Sequence, residues 1–268
     1  MIISPKQMRK DLLKMAFHAK SMGAHLGGSL SLVEIIACMY GKVLKLNKDN
    51  LEDDLRDRFI LSKGHGVMAL YAAYRQLGIF SEDDLTTYKS SNSLLSAHPV
   101  KNKKLGIEFS SGSLGQGLSL AVGTALGLIK KGNTSPDVFV VLGDGECNEG
   151  SVWEAAASAS FFKLHNLTVI IDNNKLQYDG PTECILSMQS LEEKWKAFGF
   201  DVISCDGHSI PELQSALTTT HNAPLAKIAN TVKGKGVSFM ENNPSWHNGI
   251  LSQKLFDDAI RELEAQND

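Results

Sequence analysis

Residues 137–232 alternate uninterrupted apolar runs with amphipathic stretches, and nothing else in the chain constrains its fold as tightly. DVFVVLG (137–143), NLTVIIDNN (166–174), FDVISCDG (200–207) and PLAKIANTV (224–232) read as strands. SVWEAAASASFFK, LEEKWKAFG and SIPELQSALTT, lying between them, read as helices. A strand that is wet on one face alternates polar with apolar residues. Continuous Val/Ile runs separated by helices instead predict a parallel sheet covered on both faces. RFILS (58–62) adds a strand of the same kind upstream.

The flanking segments fill in the helical layers. Ser4-Pro5 predicts a helix start, with Leu12, Leu13, Ala16 and Phe17 on one apolar face. A second helix is expected through SLVEIIACMYGKVL, and a third through VMALYAAYRQLG, with Gly78 as its C-cap and Ser81 starting the next turn. SSGSLGQG opens into a long helix rich in small residues, and LSQKLFDDAIRELEAQ has an amphipathic pattern. No repeat, low-complexity tract or linker divides the chain. The expectation is one domain over residues 1–268, an α/β three-layer doubly wound parallel sheet with helices on both faces.

Charge and cysteine usage exclude several function classes. A net charge of −3 gives no electrostatic footprint for nucleic acid or an anionic membrane. Phosphate binding would therefore have to be built locally. The four cysteines are scattered without a CxxC pair, against both a zinc site and a disulfide framework. MIISPKQMRKD is charged too early for a signal peptide, and no apolar run is expected to span a membrane. These features predict a reduced, cytoplasmic protein.

In open parallel sheets the ligand sits beyond the carboxyl ends of the strands. The loops there are KGHG (63–66), GDGECNEG (143–150), DNNKLQYDG (172–180) and KGKG (233–236). Asp144 and Asn174 are expected to end neighbouring strands. A carboxylate, an amide oxygen and a backbone carbonyl are hard ligands suited to Mg²⁺ or Ca²⁺, with open positions for phosphate oxygens. The glycines beside Asp144 let backbone N–H groups approach a phosphate at a helix start. GDG alone is equally an Asp in a tight turn; the pair on adjacent strands is the specific feature.

GDG followed, after residues 146–172, by Asn173-Asn174 resembles the thiamine-diphosphate signature of transketolases, deoxyxylulose-phosphate synthases and related enzymes. SMGAHLGGSLSLVEI, RFILSKGHGVMALY, LSAHPV, SSGSLGQGLSLAVGTA, GDGECNEGSVWEAA, DNNKLQYDG and SWHNG resemble, in that order, successive motifs of the transketolase diphosphate-binding domain.

The resemblance implies roles for residues at matching positions. Asp144, Asn174 and the Leu176 carbonyl match metal ligands, for Mg²⁺ with Ca²⁺ or Mn²⁺ as substitutes. The Gly145 amide, His65 and His247 match groups touching the diphosphate, and Gly112 and Leu114 match contacts to the cofactor rings. Glu146 is placed with the cofactor-binding residues, although a plain helix N-terminal charge would explain it too. Glu149 matches an interface carboxylate, and His25 and His98 match histidines lining the substrate channel, so that His25, His98, His247 and Glu149 form the expected catalytic set. His18, His165, His208 and His221 match nothing and read as surface or satisfied core residues.

The resemblance further implies transfer of a two-carbon ketol unit from a ketose to an aldose, on sugars or sugar phosphates. A glutamate against the aminopyrimidine ring, carried in the family by a pyrimidine-binding domain, finds no counterpart here. The expectation is the N-terminal subunit of a split transketolase, working with a C-terminal subunit, two copies of each, and exposing an apolar patch around the GSLGQG loop and the small-residue helix after it. Half of a deoxyxylulose-phosphate synthase-like enzyme, or a non-catalytic cofactor-binding module, are the alternatives.

Overall fold

The computed structural model describes residues 3–219 and 221–266. The strands are β1 (Arg58–Leu61), β2 (Val138–Gly143), β3 (Leu167–Asn173), β4 (Asp201–Asp206) and β5 (Leu225–Asn230). They form one parallel sheet in the order β1-β2-β3-β5-β4. Gly143 pairs with Asp172, so β2 and β3 finish side by side, with Asp144 and Asn174 just beyond them.

The helices before β2 are α1 (Pro5–His18), α2 (Leu26–Leu30), α3 (Val33–Cys38), α4 (Val67–Gln76), α5 (Glu82–Leu85) and α6 (Gln116–Lys130). Those after it are α7 (Gly150–Phe161), α8 (Thr182–Leu186), α9 (Leu191–Ala197), α10 (Ile210–Leu217) and α11 (Gln253–Ala265). Local chemistry sets their starts. Ser4 Oγ accepts from the Gln7 N–H and Pro5 sits in the first turn of α1. Ser81 and Asp84 form a capping box at α5.

Two separate cores record the two faces of the sheet. α1, α3, α4, α10 and α11 pack with Phe59, Leu61, Phe139, Val141 and Ile170 on one face. α6, α7 and α9 pack with Ile60, Val140, Leu142, Val169 and Ile171 on the other. The division follows from crossover handedness. The chain steps from β2 to β3 through α7, passes to the edge strand β4 through α9, and returns to β5 through α10. Right-handed connections travelling in opposite directions put their helices on opposite faces. The loop after β1 leads to α4 on the first face and the loop after β2 to α7 on the second. They part at the carboxyl edge and leave a crevice there.

Two expectations need correction. The second helix is not continuous over 31–44: helix begins at Leu26, breaks at Ser31-Leu32, and ends in a π turn over Met39–Val43. Ser31 sits at the break because its hydroxyl donates to Asp172 Oδ2 at 2.6 Å. The same stretch, Leu26–Val43, is by length and hydropathy apolar enough to cross a membrane, contrary to the sequence reading. In the fold it is 83% buried, as a core element between α1 and α4.

Candidate active site

The crevice holds a cavity of about 360 Å³. Every site residue expected from the sequence lines it: His25, His65, His98, Gly112, Leu114, Asp144, Gly145, Glu146, Glu149, Asn174, Leu176 and His247. These come from segments scattered along the chain and are brought together by the parting loops. Backbone approaches the cavity where a side chain would not fit. A Cβ on Gly145 would lie 2.6 Å from Gln177 Cγ, and one on Gly28 would lie 2.9 Å from His65 Nε2. Gly112, at φ +144°, would place its Cβ 2.9 Å from His98 Cδ2.

The oxygen donors sit on the β2 and β3 loops. Asp144 Oδ2 accepts from the Lys175 N–H at 2.8 Å and from Thr182 Oγ1 at 3.1 Å. Burial and the neighbouring Asp172 push the Asp144 pKa up, which favours a cation beside it. Asn174 Oδ1 accepts from the Leu176 N–H at 3.1 Å. The Leu176 carbonyl accepts from Lys233 Nζ at 2.8 Å, so it is already presented to a cation. Among the described residues no three His, Cys, Asp or Glu side chains cluster as metal ligands. The expected set is of another kind, one carboxylate, one amide oxygen and one carbonyl, and its chemistry fits a hard divalent ion.

Two lysines that sequence reasoning did not single out dominate the electrostatics. Lys63 pairs with Asp172, and both are almost fully buried. Asp172 also accepts from Ser31, Thr231 and Asn174 Nδ2. Burial alone would raise its pKa; the Lys63 ammonium and these hydrogen bonds outweigh burial and hold it low. Lys233 is only 2% exposed, and its ammonium touches two backbone carbonyls and His247 Nδ1, with no carboxylate in ion-pair range among the described residues. Burial and Lys63 push its pKa down to about 8. A buried cation without a counter-ion marks a place for an anion.

The histidines form a cluster around this cation. His25 lies 5.8 Å from His65, 5.6 Å from His98 and 5.6 Å from His247, ring to ring. Burial first, then neighbouring positive groups, lowers all four pKa values: His25 to about 4, His247 to about 3, His65 well below the usual range, and His98 downward. The imidazoles are therefore neutral near pH 7. His25 Nδ1 is buried with no hydrogen-bond partner, a polar atom left for a ligand.

A pH dependence follows, with a definite sign. Below about pH 6.5 the unfolded chain protonates these histidines and the folded chain does not, so stability falls as pH drops. For His25 and His247 the window runs from about 6.5 down to about 4 and about 3. The ligand-free chain should melt at progressively lower temperature across that window. His25→Gln/His247→Gln should show a shallower slope by scanning calorimetry, and identical slopes would contradict the burial of the neutral cluster.

The two glutamates divide. Glu146 is buried, and its carboxylate accepts from Ser62 Oγ, from the Gly115 N–H at 2.9 Å and from the Gly143 N–H at 3.1 Å. It ties the GSLGQG loop to the ends of β1 and β2, so both oxygens are already engaged. Glu149 is exposed at the N-cap of α7. The expected apolar patch near GSLGQG is instead a face of small residues: Ser119 and Gly123 are exposed on α6, and a Cβ on Gly123 or Gly127 would meet nothing within 4 Å. Large exposed apolar side chains lie elsewhere, at Tyr178 on the cavity rim and at Phe161 and Phe162 at the end of α7.

Comparison with known proteins now adds to this geometry. The transketolase, thiamine diphosphate binding domain family matches residues 8–266. One of the subunits of an apulose-4-phosphate transketolase from Actinobacillus succinogenes is 42% identical over 244 residues, covering 90% of this chain and 88% of that protein. A 6-deoxy-6-sulfo-D-fructose transketolase subunit SqwG of Clostridium sp. is 40% identical over 245 residues, covering 90% and 89%. The structure of a transketolase from Leishmania mexicana superposes with a TM-score of 0.88 at 26% identity. That superposition spans 97% of this chain and 40% of the Leishmania protein.

Proposed function

The chain belongs to the transketolase thiamine diphosphate binding domain family, and from that premise we propose that it is the cofactor-clamping subunit of a split transketolase. It would transfer a two-carbon ketol unit from a ketose to an aldose. The observation that carries the reading is the buried Lys233 ammonium, in direct contact with no carboxylate among the described residues, in a cavity that also holds Asp144, Asn174 and the Leu176 carbonyl. Such a site suits a diphosphate bridged by a divalent ion. The similarity to proteins named as transketolase subunits, over nearly their whole length, supports a partner subunit. The sugars in their names differ, so the donor and acceptor are left open.

Asp144, Asn174 and the Leu176 carbonyl would hold Mg²⁺. Lys233, Lys63, His65, His247 and the Gly145 N–H would hold the diphosphate, while Gly112 and Leu114 would face the rings. When bound, thiamine diphosphate supplies the electron sink for breaking and remaking a carbon–carbon bond beside a carbonyl. The protein holds neutral imidazoles at His25 and His98, which can accept and return protons at substrate hydroxyls.

Asp144→Ala and Asn174→Ala are each expected to abolish Mg²⁺-dependent binding of thiamine diphosphate, with the melting temperature close to wild type. Isothermal calorimetry with and without chelator reads this directly. Unchanged affinity in both variants would rule out the clamp.

A further inference from the structure

The segment Val232–Gly236 has two sides. Toward the cavity, Lys233 Nζ reaches the Leu176 carbonyl at 2.8 Å, the Gln177 carbonyl at 3.0 Å and His247 Nδ1 at 3.1 Å. On the far side the backbone is gripped twice. The Val232 N–H donates to His208 Nε2 at 2.8 Å, and the Lys235 carbonyl accepts from Arg9 Nε at 2.9 Å. Both grips return to one carboxylate. Arg9 meets Glu34 through two nitrogens, at 2.7 and 3.0 Å, and His208 Nδ1 lies 2.8 Å from Glu34 Oε2.

This arrangement fixes the state of His208. Nε2 must accept from Val232, so its proton sits on Nδ1 and is donated to Glu34; one tautomer satisfies both bonds. Gly236 adopts φ +96°, and a Cβ there would lie 2.6 Å from Arg9 Nε, so the backbone runs hard against the guanidinium. Glu34 and Arg9 are buried, in the layer formed by α1 and α3.

A buried lysine ammonium that touches two carbonyls and an imidazole, and no carboxylate among the described residues, has reason to turn toward water. Its side chain is long and flexible, and water solvates it better than two carbonyls do. A fixed backbone therefore helps its own hydrogen bonds to keep it facing inward. We propose that His208, backed by the Arg9–Glu34 pair, is a positioning residue that holds Lys233 at the anion site. This rests on the reading of Lys233 as a diphosphate-binding group. Sequence reasoning gives His208 no role, because its partners come from α3 and the end of β5, far apart in the chain.

The test is a double-mutant cycle on the full chain, with inorganic pyrophosphate and Mg²⁺ as the calorimetric probe. His208→Ala should weaken pyrophosphate binding about tenfold, the scale seen when an outer-shell partner is removed. His208→Gln, whose amide oxygen can accept from the Val232 N–H, should recover most of that loss. In a Lys233→Ala background the His208→Ala change should have almost no further effect. Hydrogen exchange at residues 232–236 should speed up in His208→Ala, and Glu34→Gln should behave the same way if His208→Ala folds poorly. Unchanged affinity in His208→Ala, or an equal loss in both backgrounds, would overturn the positioning role. Unchanged affinity in Lys233→Ala would instead overturn the anion-site reading beneath it.

Discussion

Lys63→Ala should lower the unfolding free energy of the ligand-free chain by about 3–5 kcal/mol, the cost of stranding a buried charge. Asp172 lies at the carboxyl end of β3 with 0% exposure, and Lys63 with 1%. Removing the ammonium leaves the carboxylate hydrogen-bonded to Ser31, Thr231 and Asn174, with the Lys233 ammonium acting on it only from beyond ion-pair contact. Those donors are neutral and cannot replace the lost charge. The sign of the pH effect is fixed. In the wild type the Asp172 pKa is held low, so its contribution is present at neutral pH and lost as pH falls through the acid range. In Lys63→Ala burial raises the carboxyl's pKa, so it protonates earlier and the gap between variant and wild type should narrow as pH falls through the acid range. Lys63→Met/Asp172→Asn, which removes both charges and keeps an amide for the hydroxyls, should recover more than half the loss. Urea unfolding at pH 7 and at low pH measures each step. A loss below about 1 kcal/mol for Lys63→Ala would mean that the pair is solvated, like an exposed surface bridge.

That pair shows what the sequence could and could not reveal. The strands were legible because burial on both faces leaves continuous Val/Ile runs in β2 and β3. The glycine-flanked loops were legible because close backbone approach leaves glycines, as at Gly112 and Gly145. Asp172 was in plain view as the acid ending NLTVIID, but its partner Lys63 lies on β1's loop and Ser31 in a helix break. No local pattern joins them; the sheet order does. The KGKG loop was placed at the ligand edge, but nothing in the run tells which of its lysines is buried, so Lys233 was not singled out. The break at Ser31 escaped the helical pattern because a tertiary hydrogen bond to Asp172 overrode a good local propensity. His208 was unreadable for a related reason, since its function is to join two segments and not to face a ligand.

Mixed with Mg²⁺ and thiamine diphosphate, the chain alone is expected to show no ketol transfer above background, and a pyrimidine-domain subunit should restore turnover. The carboxylates around the cavity explain why. Asp172 is tied to Lys63, Glu146 to Ser62 and the GSLGQG loop, and Asp144 to the Lys175 N–H and Thr182. Glu149 lies at the rim, exposed at the N-cap of α7. On the proposed reading each of these carboxylates already has another task or sits at the rim, and the group that protonates and deprotonates the aminopyrimidine ring comes from the partner subunit. Loss of a single acid–base group costs ~10²–10⁴-fold in rate, and on this reading the wall that seats the ring would come from the partner too. The two proteins should meet across Glu149 and the small-residue face of α6, where close approach of helices is sterically open. Light scattering on the mixture should give two copies of each subunit. Gly123→Trp, on that face and away from the cavity, should block assembly while calorimetry still detects pyrophosphate binding to the chain alone. Full turnover by the isolated chain would sink the split-enzyme reading, and undiminished assembly of Gly123→Trp would move the interface elsewhere.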